Sequence, residues 1–440
     1  MERTLILDCN KSVGEDVKIC GWVQNKRDHG KITFVDVVDR SGLIQVVLGQ
    51  GKGADLHPQD IVCVTGKVNK RPENLVNKNI PTGEIEVYSE EVVILSKAAE
   101  LPFDMGGKDL ELQLPTLLDF RSLTLRHPKV KAIFKVQSAL AEGFRKAATE
   151  LNCTEIFVPT VVASATEGGA EVFKVQYYDH QAFMAQSPQL YKQMLVPVFE
   201  RVFTIAHAYR AEPSVTTRHL SESTQMDIEM GFVNFKELLD ALEYVAKTTL
   251  EYAEDHCKEI LAEFGVPKLK VGGKTPRLTV REAQEVIFKE FGRDNRKEKD
   301  LTPQDEVDIC KWALEKHNSD LVTITHFPTS AKPFYTMPDP ENPEYSLSYD
   351  LLFRGVEVLS GSQREHDYQK LLERIKEKGM NPKNFEMYLQ AFKYGMPPEG
   401  GFSFGLERMT MHVLELKNVR EASLFPRDME RVDIRLSKGE

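Results

Sequence analysis

The sequence predicts an α+β protein of two or three domains, opening with a small β-barrel and continuing into a larger mixed part. Three observations carry that prediction. The 440 residues exceed what one hydrophobic core ordinarily organises. Residues 1–96 consist of short apolar or alternating runs separated by turn signals. Beyond residue 127 apolar residues recur at three- and four-residue steps, the period of amphipathic helices. Composition agrees with a folded, water-soluble chain, at 41% hydrophobic and 28% charged residues. There is no apolar run of about 18 residues to suggest a membrane span, and the opening MERTLILDCNKSV lacks the apolar centre of a secretory signal. Cys9, Cys20, Cys63, Cys153, Cys257 and Cys310 are scattered without a CxxC pair, so they read as reduced thiols of a cytoplasmic protein rather than metal ligands. A net charge of −10 excludes a generally basic coat for nucleic acid and points instead to a local basic face.

Within the first part, strands are expected at 17–23, 32–38, 43–48, 61–68 and 84–95, with turns at Asp28-His29-Gly30, Asp39-Arg40-Ser41-Gly42 and Pro81-Thr82-Gly83. Five strands in so short a span make the OB-fold the natural barrel. On it, Lys26, Arg27, Lys31 and Arg40 are expected near Phe34 and Gln45. Cations pair with phosphates, a ring stacks a base and an amide reads a base edge, so this face suits single-stranded nucleic acid. The alternative for Phe34 is core packing.

Residues 97–126 dissolve into Gly106-Gly107, prolines and mixed charge, as a hinge would, leaving 127–440 as the second domain. A helix through Ile133, Val136, Leu140, Phe144, Ala147 and Leu151 leads into EIFVPT, where Pro159 cannot donate to a ladder and marks an edge or interface. The stretch 203–232, FTIAHAYRAEPSVTTRHLSESTQMDIEMGF, reads as two strands around a polar connection and carries Arg210, Glu212, Arg218, His219, Glu222 and Asp227. Charge of that density on half-buried strands demands a charged ligand, with an anion on the arginines and a metal or amine on the carboxylates. A solvated hairpin with surface ion pairs is the alternative. Residues 235–264 form a long amphipathic helix, and 272–330 receive no chemistry. Near the C-terminus a glycine cluster precedes GLERMTMHVLEL, placing Arg408 close to a helix start, where backbone amides favour anions.

Taken together, these stretches resemble the class II aminoacyl-tRNA synthetases, and among them the compact aspartyl-tRNA synthetases of archaeal and eukaryotic type. The resemblance is carried by GWV and KRD in the barrel, EIFVP as motif 1, FTIAHAYRAE with RHLSE and MDIEM as motif 2, and GFSFGLERM as motif 3. TEGG, QSPQLYKQ and SGSQREHDY stand between them, so it covers nearly the whole chain. It implies an OB-fold anticodon-binding barrel, a catalytic antiparallel sheet flanked by helices, and a homodimer. The implied activity is ATP-dependent formation of aspartyl-AMP and transfer of aspartate to tRNA(Asp). Charging of tRNA(Asn) as well stays open, as do an asparaginyl enzyme and a tRNA-independent aspartate-activating paralogue.

Attack of a carboxylate on the α-phosphate gathers charge on phosphate oxygens and asks for fixed cations rather than a protein nucleophile. The resemblance assigns Arg210 to the α-phosphate and substrate carboxylate, Arg218 and His219 to the pyrophosphate, Arg408 to the γ-phosphate and Glu212 to the adenine. It assigns Mg²⁺ to Asp350, Glu357 and Ser360, oxygen donors that a hard cation favours. Lys192 and Arg364 would take the aspartate side chain, while Asp227, Glu167 and Gln189 would receive its ammonium and shape the pocket, with Ser360 beside them. Arg27, Phe34 and Gln45 would read the anticodon. Two departures from the family pattern stand out: Ser223 occupies the position of an adenine-stacking phenylalanine, and Glu399 that of the histidine in a PPHGG loop.

Overall fold

The structure, a computed structural model, describes residues 1–440 apart from 31, 50–52, 54, 164–170, 214–215 and 437–440. Contacts divide the chain into two units, Met1–Gln113 and Leu114–Glu440.

In the first unit, β1 (Asp16–His29), β2 (Ile32–Val38), β3 (Leu43–Leu48), β4 (Ile61–Lys70) and β5 (Ile85–Ser96) close into a barrel of order β1-β2-β3-β5-β4. Only β3 and β5 pair in parallel, which is the connectivity of the expected OB-fold. The two-residue period of the strands sends Val17, Ile19, Val23, Val35, Val37, Val62 and Val64 into one core.

The second unit begins earlier than 127. Residues 114–126, read from sequence as part of a hinge, include α1 (Leu114–Asp119) and α2 (Arg121–Thr124). Arg121 is 4% exposed and donates to the carbonyls of Glu421, Ser423 and Leu424, so this segment is tied into the C-terminal part. There follow α3 (Pro128–Glu150), β6 (Thr154–Glu155), β7 (Val161–Val162), β8 (Lys174–Tyr177), β9 (His180–Met184), α4 (Gln189–Phe199), β10 (Arg201–Tyr209) and β11 (Glu222–Gly231). The expected helix over 235–264 is two, α5 (Phe235–His256) and α6 (Lys258–Glu263), interrupted at Cys257. The chain then runs through β12 (Arg277–Thr279), α7 (Val280–Phe291), α8 (Pro303–His317), β13 (Leu321–Thr325), β14 (Ser348–Phe353) and β15 (Val356–Gln363). It ends with α9 (Tyr368–Glu377), α10 (Glu386–Lys393), β16 (Glu399–Gly405) and α11 (Leu406–Val413).

Eight of these strands form one sheet of order β12-β13-β14-β15-β16-β11-β10-β6, antiparallel except at β12·β13 and β10·β6. β6 ends the order, which agrees with the edge position inferred from Pro159. Helices α3 and α5 cover one face, where Val136, Leu140, Phe144, Leu242 and Val245 meet Met226, Ile228, Phe402 and Phe404. Because alternate residues of a strand face opposite ways, the neighbours of these core residues are all presented on the other face. That rule places Gln225, Asp227 and Glu229 of β11, Ser403 of β16, Ser360 and Ser362 of β15 and Asp350 of β14 together.

Candidate active site

Two cavities lie side by side on that polar face. One gathers Arg210, Glu212, Arg218, His219, Glu357 and Arg408, and the other Gln189, Lys192, Asp227, Ser362 and Arg364. Arg210, Gln225, Ser360 and Ser403 line both. A molecule filling each cavity would therefore meet the other beside Arg210.

The second cavity is backed by buried charge. Lys192, 1% exposed, places Nζ 2.7 Å from Asp227 and 3.1 Å from Glu229. Arg364 donates to Glu229 from Nε at 2.7 Å and from its terminal nitrogen at 3.2 Å, and to Ser362 Oγ at 2.7 Å. The same guanidinium reaches Gln189 Oε1 at 3.3 Å and the Gly401 carbonyl at 3.0 Å. Ser403 Oγ donates to Asp227 at 3.0 Å. Burial alone would lift the Glu229 carboxyl, yet Arg364 and Lys192 outweigh it and hold it below the ordinary range. Gly401 has no room for a side chain: a Cβ would collide with the Ile228 carbonyl and the Glu229 carboxylate.

Behind this cluster lies Glu399, fully buried at the start of β16. Gln193 Nε2 donates to its Oε1 at 2.7 Å, and Tyr388 donates to Gln193 Oε1 at 3.2 Å. Burial and the adjacent Glu229 push the Glu399 carboxyl well above the carboxylate range, against the pull of Arg364.

In the first cavity Arg218 pairs with Glu306 of α8 at 3.2 Å. Arg408, in the first turn of α11, donates to the Glu357 carbonyl at 3.0 Å and stands 3.6 Å from its carboxylate. Glu407 accepts the Thr224 amide with both oxygens, at 3.1 and 2.9 Å, locking α11 to β11. His219 Nε2 lies 3.6 Å from Glu212. Ser223 does line this cavity, and of the lining residues only His219 carries an aromatic ring. Asp350 faces Ser360 across the β14·β15 ladder, with Lys332 3.4 Å away. Asp350 Oδ1 is buried without a partner among the described residues. Glu357, open to the cavity but enclosed by protein around it, is pushed up to about 7 by burial and by Asp350, with Arg408 opposing.

On the barrel, Arg27 lies opposite Phe34 and Asp36 opposite Gln45 in adjacent ladders. Arg27 donates to Asp36 at 2.9 Å and to Gln45 at 3.4 Å, and Gln45 donates to Glu86 at 2.9 Å. Phe34 is half-buried and lies outside the barrel core, with His29 edge-on at 5.6 Å. Arg40 lies in the turn after β2, beyond the end paired with Trp22, so it does not join this group; Arg71, 3.7 Å from Glu86, does. Lys31 and Glu167, with the TEGG segment, lie outside the described residues.

Sequence reasoning missed Glu229, Glu306 and Lys332 and left Glu399 without a role. Glu229 had a signal, since it stands two residues from Asp227 on one strand and so shares its face. Glu306 and Lys332 had none, because Glu306 reaches Arg218, and Lys332 the second cavity, from segments distant in sequence.

A five-stranded barrel of nucleic-acid-binding type, followed by an antiparallel sheet with this cation-rich double cavity, is the architecture of a class II aminoacyl-tRNA synthetase. Residues 113–429 match the family described as tRNA synthetases class II (D, K and N), to which the chain belongs, and 17–95 match the OB-fold nucleic acid binding domain. The chain is 41% identical to the Aspartate--tRNA(Asp) ligase of Pyrococcus horikoshii, over 95% of this chain and 96% of that one. It is also 41% identical to the Aspartate--tRNA(Asp/Asn) ligase of Thermus thermophilus, over 98% and 99%. Among solved structures it is similar to the asparaginyl-tRNA synthetase from Pyrococcus horikoshii complexed with asparaginyl-adenylate, with a TM-score of 0.89, 30% identity and coverage of 98% and 99%.

Proposed function

We propose that this chain joins L-aspartate to ATP as aspartyl-AMP and then transfers the aspartyl group to tRNA(Asp). The observation that carries the reading is the pair of cavities meeting at Arg210, one rich in cations for a triphosphate and the other backed by Lys192 and Arg364. An α-carboxylate oxygen of aspartate attacks the α-phosphorus and pyrophosphate leaves. The terminal ribose hydroxyl of the tRNA then attacks the adenylate carbonyl and AMP leaves.

Arg210 stabilises the charge that develops at the border, Arg218 and His219 hold the departing pyrophosphate, Arg408 the γ-phosphate, and Glu212 the adenine. Arg364 and Lys192 take the aspartate side chain, while Asp227 and Gln189 face its ammonium. Asp350, Glu357 and Ser360 suit Mg²⁺: the donors are oxygens, Asp350 Oδ1 is buried and unpartnered among the described residues, and a cation would relieve the repulsion from Asp350 that adds to burial in lifting Glu357. When bound, the ion supplies neutralising charge at the phosphates. Arg27, Phe34 and Gln45 contact the anticodon. Edge strand β6 and the neighbouring Phe157, 88% exposed, support a homodimer. No helix among the described residues is long and apolar enough to cross a membrane, and six free cysteines, with Cys20 and Cys63 unbridged although their sulfurs stand 2.8 Å apart, fit a reducing cytoplasm.

Pyrophosphate exchange tests the first step: exchange with aspartate is expected, with asparagine weaker by about a thousandfold, because a neutral amide leaves the buried cations underpaired. No exchange with aspartate would overturn the reading. Charging of tRNA(Asn) is a second reading, favoured by relatives named for both tRNAs, and acylation of each purified tRNA decides it. The complete barrel speaks against a tRNA-independent paralogue.

A further inference from the structure

We propose that Glu399 is a positioning residue of the amino-acid cavity: as a neutral carboxylic acid it donates a hydrogen bond to Glu229, holding the carboxylate that aims Arg364. The inference deepens the function proposed above and rests on it.

Glu399 and Glu229 stand at diagonal positions on one face of adjacent strands, Glu229 opposite Gly401 and Glu399 opposite Gly231, and both are inaccessible to solvent. Two carboxylates at neighbouring positions in a dry interior resist joint ionisation, which favours a proton on one of them. Glu229 is gripped by Arg364 through two nitrogens and by Lys192 at 3.1 Å, which makes it the ionised member. Glu399 has only the neutral Gln193 amide on Oε1, while its Oε2 meets no donor among the described residues, the condition of an oxygen that bears the hydrogen itself. The surrounding titratable groups agree. They are Asp227 and Glu229 from β11, Lys192 from α4, Arg364 following β15, and Tyr388 from α10, which reaches Glu399 through Gln193. With Glu399 neutral, the two carboxylates balance the two cations. Ionising it would leave the cluster with a net negative charge behind a cavity meant for the aspartate side chain.

The proposed Glu399–Glu229 bond joins two observed stretches, Tyr388 to Gln193 to Glu399 on one side and, on the other, Glu229 to Arg364, whose guanidinium faces the cavity. Glu399 touches no substrate; it acts on the orientation of Arg364 and should change aspartate affinity while leaving ATP affinity alone.

The test measures pyrophosphate exchange with aspartate in wild-type, E399A and E399Q proteins. E399A should raise KM for aspartate at least about tenfold with KM for ATP changed less than about twofold. E399Q, whose amide also donates to Glu229, should restore KM for aspartate to within about threefold of wild type. An unchanged KM for aspartate in E399A, or equal loss for both substrates, overturns the proposal. Absence of exchange in the wild type would instead refute the function itself. Infrared difference spectra of wild type minus E399Q at neutral pH decide the matter even where E399A fails to fold. A protonated-carboxyl band lost in E399Q is expected, and its absence refutes the assignment.

Discussion

Lys192 stands between Asp227 and Glu229 with almost no exposure, so its ammonium does two jobs, neutralising the β11 carboxylates and presenting positive charge to the cavity. Truncation to alanine leaves both carboxylates short of a partner, a class of change that costs about 3–5 kcal/mol in stability. Lys192→Ala is expected to lower the melting temperature and abolish aspartate-dependent exchange, while ATP binding measured by calorimetry persists. Wild-type aspartate kinetics in this variant would refute the pocket assignment. Glu399 gives a second prediction, in pH. Its folded-state carboxyl is raised above the unfolded value, so its contribution is fully present below the ordinary carboxylate range and is lost as pH rises toward the shifted value. Thermal stability of the wild type should therefore fall as pH climbs above about 5, the top of the unfolded glutamate titration. E399Q should lack that component of the slope, and parallel curves for the two proteins would show that the residue titrates normally. The family resemblance groups Arg210, Arg218, His219, Glu357 and Arg408 with the nucleotide and metal, and Gln189, Lys192, Asp227 and Arg364 with the amino acid, and each set lines one cavity. Residue types could not foretell that Lys192 and Arg364 already hold protein carboxylates, since pairing across α4, β11 and β15 depends on packing that no local pattern encodes.

Strands β11 and β16 bring these side chains together because their alternation is strict: the apolar residues of each bind α3 and α5, and the residues between them lie on the opposite face, where Gln225, Asp227 and Ser403 line the cavities. The apolar exit of the 203–232 stretch made β11 legible in the sequence, whereas at β16 only a glycine cluster entering a helix stood out. The closeness of β16 to β11 was visible only as a glycine pair, which reads equally well as a loop. In the structure Gly401 lets the β16 backbone run against the Ile228 carbonyl and the Glu229 carboxylate, where a methyl group would overlap both. Gly401→Ala must push the strands apart or displace Glu229, and overpacking of this kind costs about 1–3 kcal/mol. Displacement of Glu229 would also release Arg364, so KM for aspartate should rise in the folded fraction. A variant with unchanged melting temperature and KM would mean that the ladder relaxes freely. The segment 272–330 teaches the opposite lesson. Its α8 carries a capping box at Thr302 and Asp305, readable as a helix start, yet Glu306 in the next position reaches Arg218, a contact set by tertiary placement alone.

At the scale of the molecule, the chain divides its work between two units with separate cores, Met1–Gln113 and Leu114–Glu440. Each core is complete without the other, so damage to a surface residue of the barrel should leave the chemistry of the second unit intact. Phe34 tests this division because it is half-buried and absent from the barrel core, while Arg27, Asp36, Gln45 and Glu86 form a hydrogen-bonded polar row beside it. A ring so placed offers a face to an unstacked base, and loss of such stacking costs about 1–3 kcal/mol per base. Phe34→Ala should thus raise KM for tRNA about tenfold or more, while the rate of pyrophosphate exchange and the KM values for aspartate and ATP remain those of the wild type. Arg27→Ala should weaken tRNA binding too, and more so at low salt, because a cation that pairs with phosphate loses its advantage as ions screen it. Were Phe34→Ala to lower exchange and aminoacylation equally, the ring would be supporting the fold, and the division of labour between barrel and sheet would have to be abandoned.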